Sequence, residues 1–218
     1  MRRLLFAGAL ILAVSLAFFG RRNIGRSSLE TFTESNKVTP PEPAPLCPWR
    51  EPEADLKAFF PEATRYQVET RILSGLRLEL TERLGRSPTG DENALRLYRA
   101  YRSKTPLGSI LTRRVKGDYG AIELVLATDT NRSVRGVRLQ RLREPDSIAS
   151  ALENTNWLNS FVGKRAEDPL RLGADLPNVP AEAKGSASAL IDGVKSLLIM
   201  CATADQGQVP TPAETHRH

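Results

Sequence analysis

The 218-residue chain predicts an α+β fold: an antiparallel sheet of about four strands packed with helices, preceded by one N-terminal transmembrane helix. Three observations lead there. An apolar run opens the chain, stretches of alternating apolar and polar residues fill its middle, and segments with apolar residues every three or four positions lie on both sides of that middle.

Taken in order, Met1, Arg2 and Arg3 precede a run of 17 apolar or small residues from Leu4 to Gly20, and Arg21, Arg22 and Arg26 follow it. A hydrocarbon core takes roughly 17 to 25 residues of helix, so the run suffices for one crossing. Ala17-Phe18-Phe19-Gly20-Arg21 matches the small-x-small cleavage rule poorly, which favours an uncleaved anchor over a cleaved signal peptide. Arginines flank both ends, so the positive-inside rule decides orientation only weakly. The common bacterial arrangement places the domain on the periplasmic, extracytoplasmic side of the inner membrane. Residues 27–52 contain Pro40, Pro41, Pro43, Pro45, Pro48 and Pro52 and read as a semi-extended spacer. Residues 53–203 form the folded domain, and residues 204–218 a tail without fixed structure.

Within the domain, Glu53–Phe60 predicts a short helix stopped by Pro61. Tyr66–Leu84 predicts an amphipathic helix, with Val68, Ile72, Leu73, Leu76, Leu80 and Leu84 as its core stripe and Gly85 as its stop. A polar turn over Pro88–Glu92 then gives way to period two. Leu95 and Leu97, then Ile110, Leu111 and Val115, then Ile122–Leu126, then Val134, Val137 and Leu139 mark four strands, with turn chemistry at Asp129–Arg132. Ser147–Val162 returns to helical spacing through Ile148, Leu152, Trp157, Leu158 and Phe161, and ends at Gly163. A loop with Pro169, Gly173, Pro177 and Pro180 leads to a last helix over Ala187–Ala202.

Charge and cysteine usage narrow the function classes. Residues 1–26 hold five arginines and no acid, so the formal net charge of +6 falls to +1 over residues 27–218. A near-neutral soluble part argues against nucleic acid, whose binding needs phosphate neutralisation. Arg113, Arg114 and Lys116, and Arg132, Arg135, Arg138, Arg141 and Arg143, read as solvated faces, with a docking surface or anionic headgroups as the alternative. Cys47 and Cys201 stand in no metal-ligand spacing; in an oxidising compartment they could pair. The two histidines, His216 and His218, lie in the polar tail, so no metal centre is expected. No nucleophile and base pair or glycine-rich nucleotide fingerprint appears, and no catalytic residue is assigned.

The chemistry-bearing segment is Asp168–Lys195. Here a small-residue loop, Gly185-Ser186-Ala187-Ser188, enters the last helix and could offer backbone N–H groups and hydroxyls to an anion. The plainer reading is a helix N-cap at Ser186 or Ser188. Lys184 could neutralise a phosphate as a point charge or be a solvated lysine.

On Ala189, Leu190, Asp192, Gly193, Val194 and Lys195 the segment resembles the flavin-attachment region of the FMN-binding domains of Rnf-type electron-transport complexes and sodium-translocating quinone reductases. The resemblance extends over about Leu56–Leu198. It takes in Leu56–Ala63 as a leader helix, Gly120–Leu126 as a central strand, Arg143-Glu144-Pro145 as a signature after the next strand, and Trp157–Lys164 as the helix end before the flavin loop. In that family a Ser-Gly-Ala-Thr segment carries the threonine esterified to the FMN phosphate. This chain has Ala181-Glu182-Ala183-Lys184 there, and lysine has no hydroxyl to esterify. An alternative register places Ser188 in the acceptor slot.

The resemblance implies a cofactor site at Glu144, Lys184, Gly185, Ser186, Ala187 and Ser188, with FMN held without a covalent link; a turn-capping carboxylate is the other reading of Glu144. It implies a membrane-anchored protein relaying electrons beside other subunits of a membrane complex. A flavin-free domain serving as a structural or docking subunit is the alternative.

Overall fold

The computed structural model describes residues 52–206. The expected membrane segment, the Pro-rich spacer with Cys47 and the histidine-bearing tail lie outside the described residues. Five strands, one more than expected, form an antiparallel sheet in sequence order: β1 (Arg65–Ile72), β2 (Ala94–Arg102), β3 (Thr105–Lys116), β4 (Ala121–Asp129) and β5 (Val134–Leu142). Of the four connections, the last three are short polar turns at Ser103-Lys104, Gly117–Gly120 and Thr130–Ser133, and the first, residues 73–93, carries a helix.

The extra strand is β1, where a helix was expected. Val68, Ile72, Leu76, Leu80 and Leu84 recur every four residues, a spacing that suits a helix stripe and one face of a strand equally. Tyr66, Val68, Thr70 and Ile72 are aromatic or β-branched and pair along β2, with Tyr66 opposite Ala100 and Ile72 opposite Ala94. The helix survives only over α2 (Arg77–Leu84), after a 3-10 turn at Ser74–Leu76, and ends at Gly85 with φ of 69°. The short opening helix, α1 (Glu53–Phe59), stands where Pro61 stops it.

Layers form on both faces of the sheet. One face carries Leu97, Leu111, Ile122, Leu124 and Leu126 against α5 (Lys184–Gln206) and its Leu190, Val194, Leu197 and Leu198. The other carries Tyr98, Ala100, Ile110, Val125 and Ala127 under Leu56 and Phe60 of α1. With both faces covered, β4 is buried from Ile122 to Thr128, which is why its sequence reads as one apolar run and not as an alternation. Gly193 lets α5 lie close to the sheet: a Cβ there would stand 2.6 Å from Val115 Cγ1.

The expected Ser147–Val162 helix is two helices, α3 (Asp146–Leu152) and α4 (Thr155–Asn159). The break comes at Asn154, whose side chain accepts the N–H groups of Asn156 and Trp157 at 3.0 and 3.1 Å and so starts a second helix. The last helix begins earlier than expected, with a 3-10 turn over Ala181–Ala183 running into α5 at Lys184. Ala181–Asp205 is long and apolar enough to cross a membrane, but 78% of its apolar window is buried, so it serves as the core helix of this domain.

Candidate functional site

The early start of α5 changes the nature of the expected loop. Lys184, Gly185, Ser186, Ala187 and Ser188 form the first turns of the helix, with Lys184, Gly185 and Ser188 exposed and Ser186 and Ala187 buried. Glu144, two residues past β5, is brought to the same end of the molecule, and the meeting point is the turn between β3 and β4. Glu144 accepts the Tyr119 N–H through both carboxylate oxygens, at 3.4 and 3.3 Å. Ser186 Oγ accepts the Asp118 N–H at 2.8 Å, and the Ser186 N–H donates to Asp118 Oδ2 at 3.1 Å.

This reciprocal pair decides what the helix start can hold. The first N–H groups of a helix have no partner within it and attract an anion. Here Asp118 supplies that anion from within the chain. Gly185 makes room for it, since a Cβ at this position would lie 2.3 Å from both Asp118 carboxylate oxygens. Gly117 is crowded in the same way, a Cβ there falling 1.9 Å from Glu144 Oε1 and 2.9 Å from Ser186 Oγ. Ser186 therefore ties down the neighbouring turn and does not cap its own helix. The Ser186 N–H, which could otherwise receive an anion, is taken by the Asp118 carboxylate, and Lys184 offers no hydroxyl.

Asp118 and Tyr119 were not singled out from the sequence. Gly117-Asp118-Tyr119-Gly120 carries a local signal for a hairpin turn, but its partner lies 68 residues away, at Ser186. Surface clefts lie elsewhere on the domain, two of them against the sheet's first strands. One of about 340 Å3 is lined by β2, β3 and α5, one of about 500 Å3 by α1 and β1, and neither includes Glu144 or Lys184–Ser188.

The most perturbed carboxylate is Glu92, fully buried between α2 and β2. Burial alone would raise its pKa, but two Arg86 nitrogens at 2.7 and 2.8 Å, the Thr89 N–H at 2.8 Å and Arg113 at 2.9 Å hold it down to about 2. A carboxylate so fully engaged is a poor proton acceptor; its work is to fasten α2, β3 and the turn before β2. Arg86 also donates to Ser196 Oγ at 3.1 Å, which extends the network to α5. The Lys195 amine donates to the carbonyls of Ala166 and Asp168, fixing the long loop to α5. Burial pushes the Cys201 thiol up to about 11, and its suggested partner Cys47 lies outside the described residues. Among the described residues no group of three or more His, Cys, Asp or Glu side chains is placed to hold a metal ion.

No protein-family profile matches the sequence, and comparison with curated proteins finds no match.

Proposed function

We propose that this chain is a membrane-anchored, extracytoplasmic structural or docking subunit of a membrane complex, built on the plan of an FMN-binding domain but holding no flavin. The observation that carries this reading is the Asp118 carboxylate on the Ser186 N–H, an anion from within the chain at the helix start to which the resemblance would assign the phosphate. Three features of the sequence support it: the basic-flanked apolar run at Leu4–Gly20, the order of segments shared with FMN-binding domains, and the replacement of the esterified threonine by Lys184. Glu182 adds a further acid beside the same helix start, where the family has glycine.

The test is absorbance and mass. Purified full-length protein should lack the isoalloxazine band near about 450 nm, and the denatured chain should have its sequence mass. A chain heavier by one FMN after denaturation would overturn the proposal, and loss of that increment in Ser188→Ala would identify Ser188 as the acceptor. A second reading, reversible FMN binding for electron relay, is favoured by the exposure of Lys184 and Ser188 on the first turns of α5. It requires that added FMN lose fluorescence in the presence of the wild-type protein.

A further inference from the structure

We propose that Trp49, Arg50 and Glu51, the residues just before α1, cover the part of the sheet face that lies beyond that helix, with the Trp49 indole seated in the cleft between β2 and β3. The face is the one on which α1 packs. Alternate strand residues share a face, so Arg96 continues the row of Tyr98, Thr112 and Arg114 continue that of Ile110, and Glu123 continues that of Val125. Arg141 stands opposite Glu123 on β5. Helix α1 has only seven residues, and Leu56 and Phe60 pack over Tyr98, Ala100, Ile110, Val125 and Ala127.

The course of α1 sends the preceding residues over the other half of the face. Phe59 lies against Gly136, where a Cβ would stand 2.4 Å from its Cε1, whereas Asp55 accepts from Arg138 at 3.1 Å and from Gln140 at 2.7 Å. From its end to its start the helix therefore advances along β5 towards Arg141, and Pro52 is buried at that start. Three further residues reach at most about 10 Å, the length of about three residues of strand. That reach takes in Glu123 and its ion-pair partner Arg114, 2.9 Å away.

Charge and shape select these three residues as the occupant. Glu123 is 1% exposed, and two buried atoms here, Glu123 Oε2 and Arg141 Nη1, make no hydrogen bond. Buried polar atoms are normally paired. Arg50 and Glu51 bring one charge of each sign, so that Arg50 answers Glu123 and Glu51 answers Arg141. Trp49 answers the cleft. Pairing of β2 with β3 ends at Leu97 and Leu111, and beyond that point lies a cleft of about 340 Å3 whose walls include Arg96, Thr112 and Arg114 together with Leu197 and Met200 of α5. Guanidiniums over an indole face, and apolar side chains with a thioether beneath it, make a site suited to tryptophan.

The test follows hydrogen–deuterium exchange in the full chain in detergent micelles. The expected result is that the Trp49–Glu51 amides exchange at least about tenfold more slowly than an unstructured chain of their sequence. Trp49→Ala should remove that protection and speed the amides of Ala94–Arg96 and Thr112–Arg114, which the indole shields, with α5 unaltered. Arg96→Glu, an exposed position on the domain side, should also remove the protection while β4 and α5 exchange as before. If Arg96→Glu disturbs β4, Trp49→Ala, which lies outside the sheet and its helices, still decides. Wild-type Trp49–Glu51 amides exchanging at the unstructured rate would overturn the proposal and leave the face to a separate partner. Protection that survives Arg96→Glu in an otherwise unaltered domain would overturn it too, since the micelle would then be its source. So would unchanged exchange at Ala94–Arg96 and Thr112–Arg114 in Trp49→Ala.

Discussion

Replacing Glu92 by glutamine removes one charge from the centre of the network that joins α2, β3 and α5, and two routes give the size of the effect. The first is proton linkage. A carboxyl held at about 2 in the folded protein against 4.5 as its ordinary value corresponds to about 3 kcal/mol. Because the folded-state value is the lower one, this stability is fully present above pH 4.5 and is lost as the pH falls towards 2. The second route is the partners left behind. Arg86 is 43% exposed and can rehydrate, whereas Arg113 is 14% exposed and would keep, besides a contact with Met200 Sδ, only Asp91 as an ionic partner, at 3.5 Å. Removing one member of a buried ion pair costs about 3 to 5 kcal/mol, and the escape of Arg86 to water puts Glu92→Gln at the lower end. Urea denaturation of the solubilised protein measures both, followed by Trp157 fluorescence in a Trp49→Phe background. The stability difference between wild type and Glu92→Gln should be about 3 kcal/mol at neutral pH and close between pH 4.5 and 2. Parallel curves for the two proteins through that window would refute the assignment of acid sensitivity to Glu92.

Two further outcomes follow from packing. Gly193→Ala places a methyl 2.6 Å from Val115 Cγ1 and 3.3 Å from Leu124 Cδ2; overpacking of about 2 kcal/mol should outweigh the roughly 1 kcal/mol that alanine gains over glycine in a helix. The urea midpoint should therefore fall, and a rise would show that α5 shifts away from β3 without cost. Cys201 is 3% exposed and its thiol is held at about 11, so iodoacetamide at neutral pH should leave it unlabelled until urea is added. Peptide mass spectrometry reads this out, and labelling of the native protein at the rate of a free thiol would mean that α5 opens locally.

Some of this architecture is written locally in the chain. Ile122–Leu126 as a strand, the stripe Leu190, Ile191, Val194, Leu197, Leu198 and Cys201 as a helix face, and Glu53–Phe59 stopped before Pro61 all follow from periodicity and backbone chemistry, because the residues that decide each element lie within it. In the register that the resemblance gives over Ala189–Lys195, Lys184 falls in the threonine slot, and that reading too needs no coordinates. β1 was not legible, since apolar residues four apart satisfy a helix and a strand alike, and only pairing with β2 selects between them. Nor was the closure of the helix start. Asp118 and Ser186 are ordinary turn and helix residues in isolation, and they acquire their meaning from a contact spanning 68 positions that the sheet and α5 together create. The sequence by itself thus determined most of the strands and helices, because the residues that decide them lie within each segment. The tertiary structure decided that the Asp118 carboxylate meets the start of α5 and that Arg65–Ile72 is a strand, because both depend on groups distant in the chain being held within hydrogen-bonding distance by the packing of the whole domain.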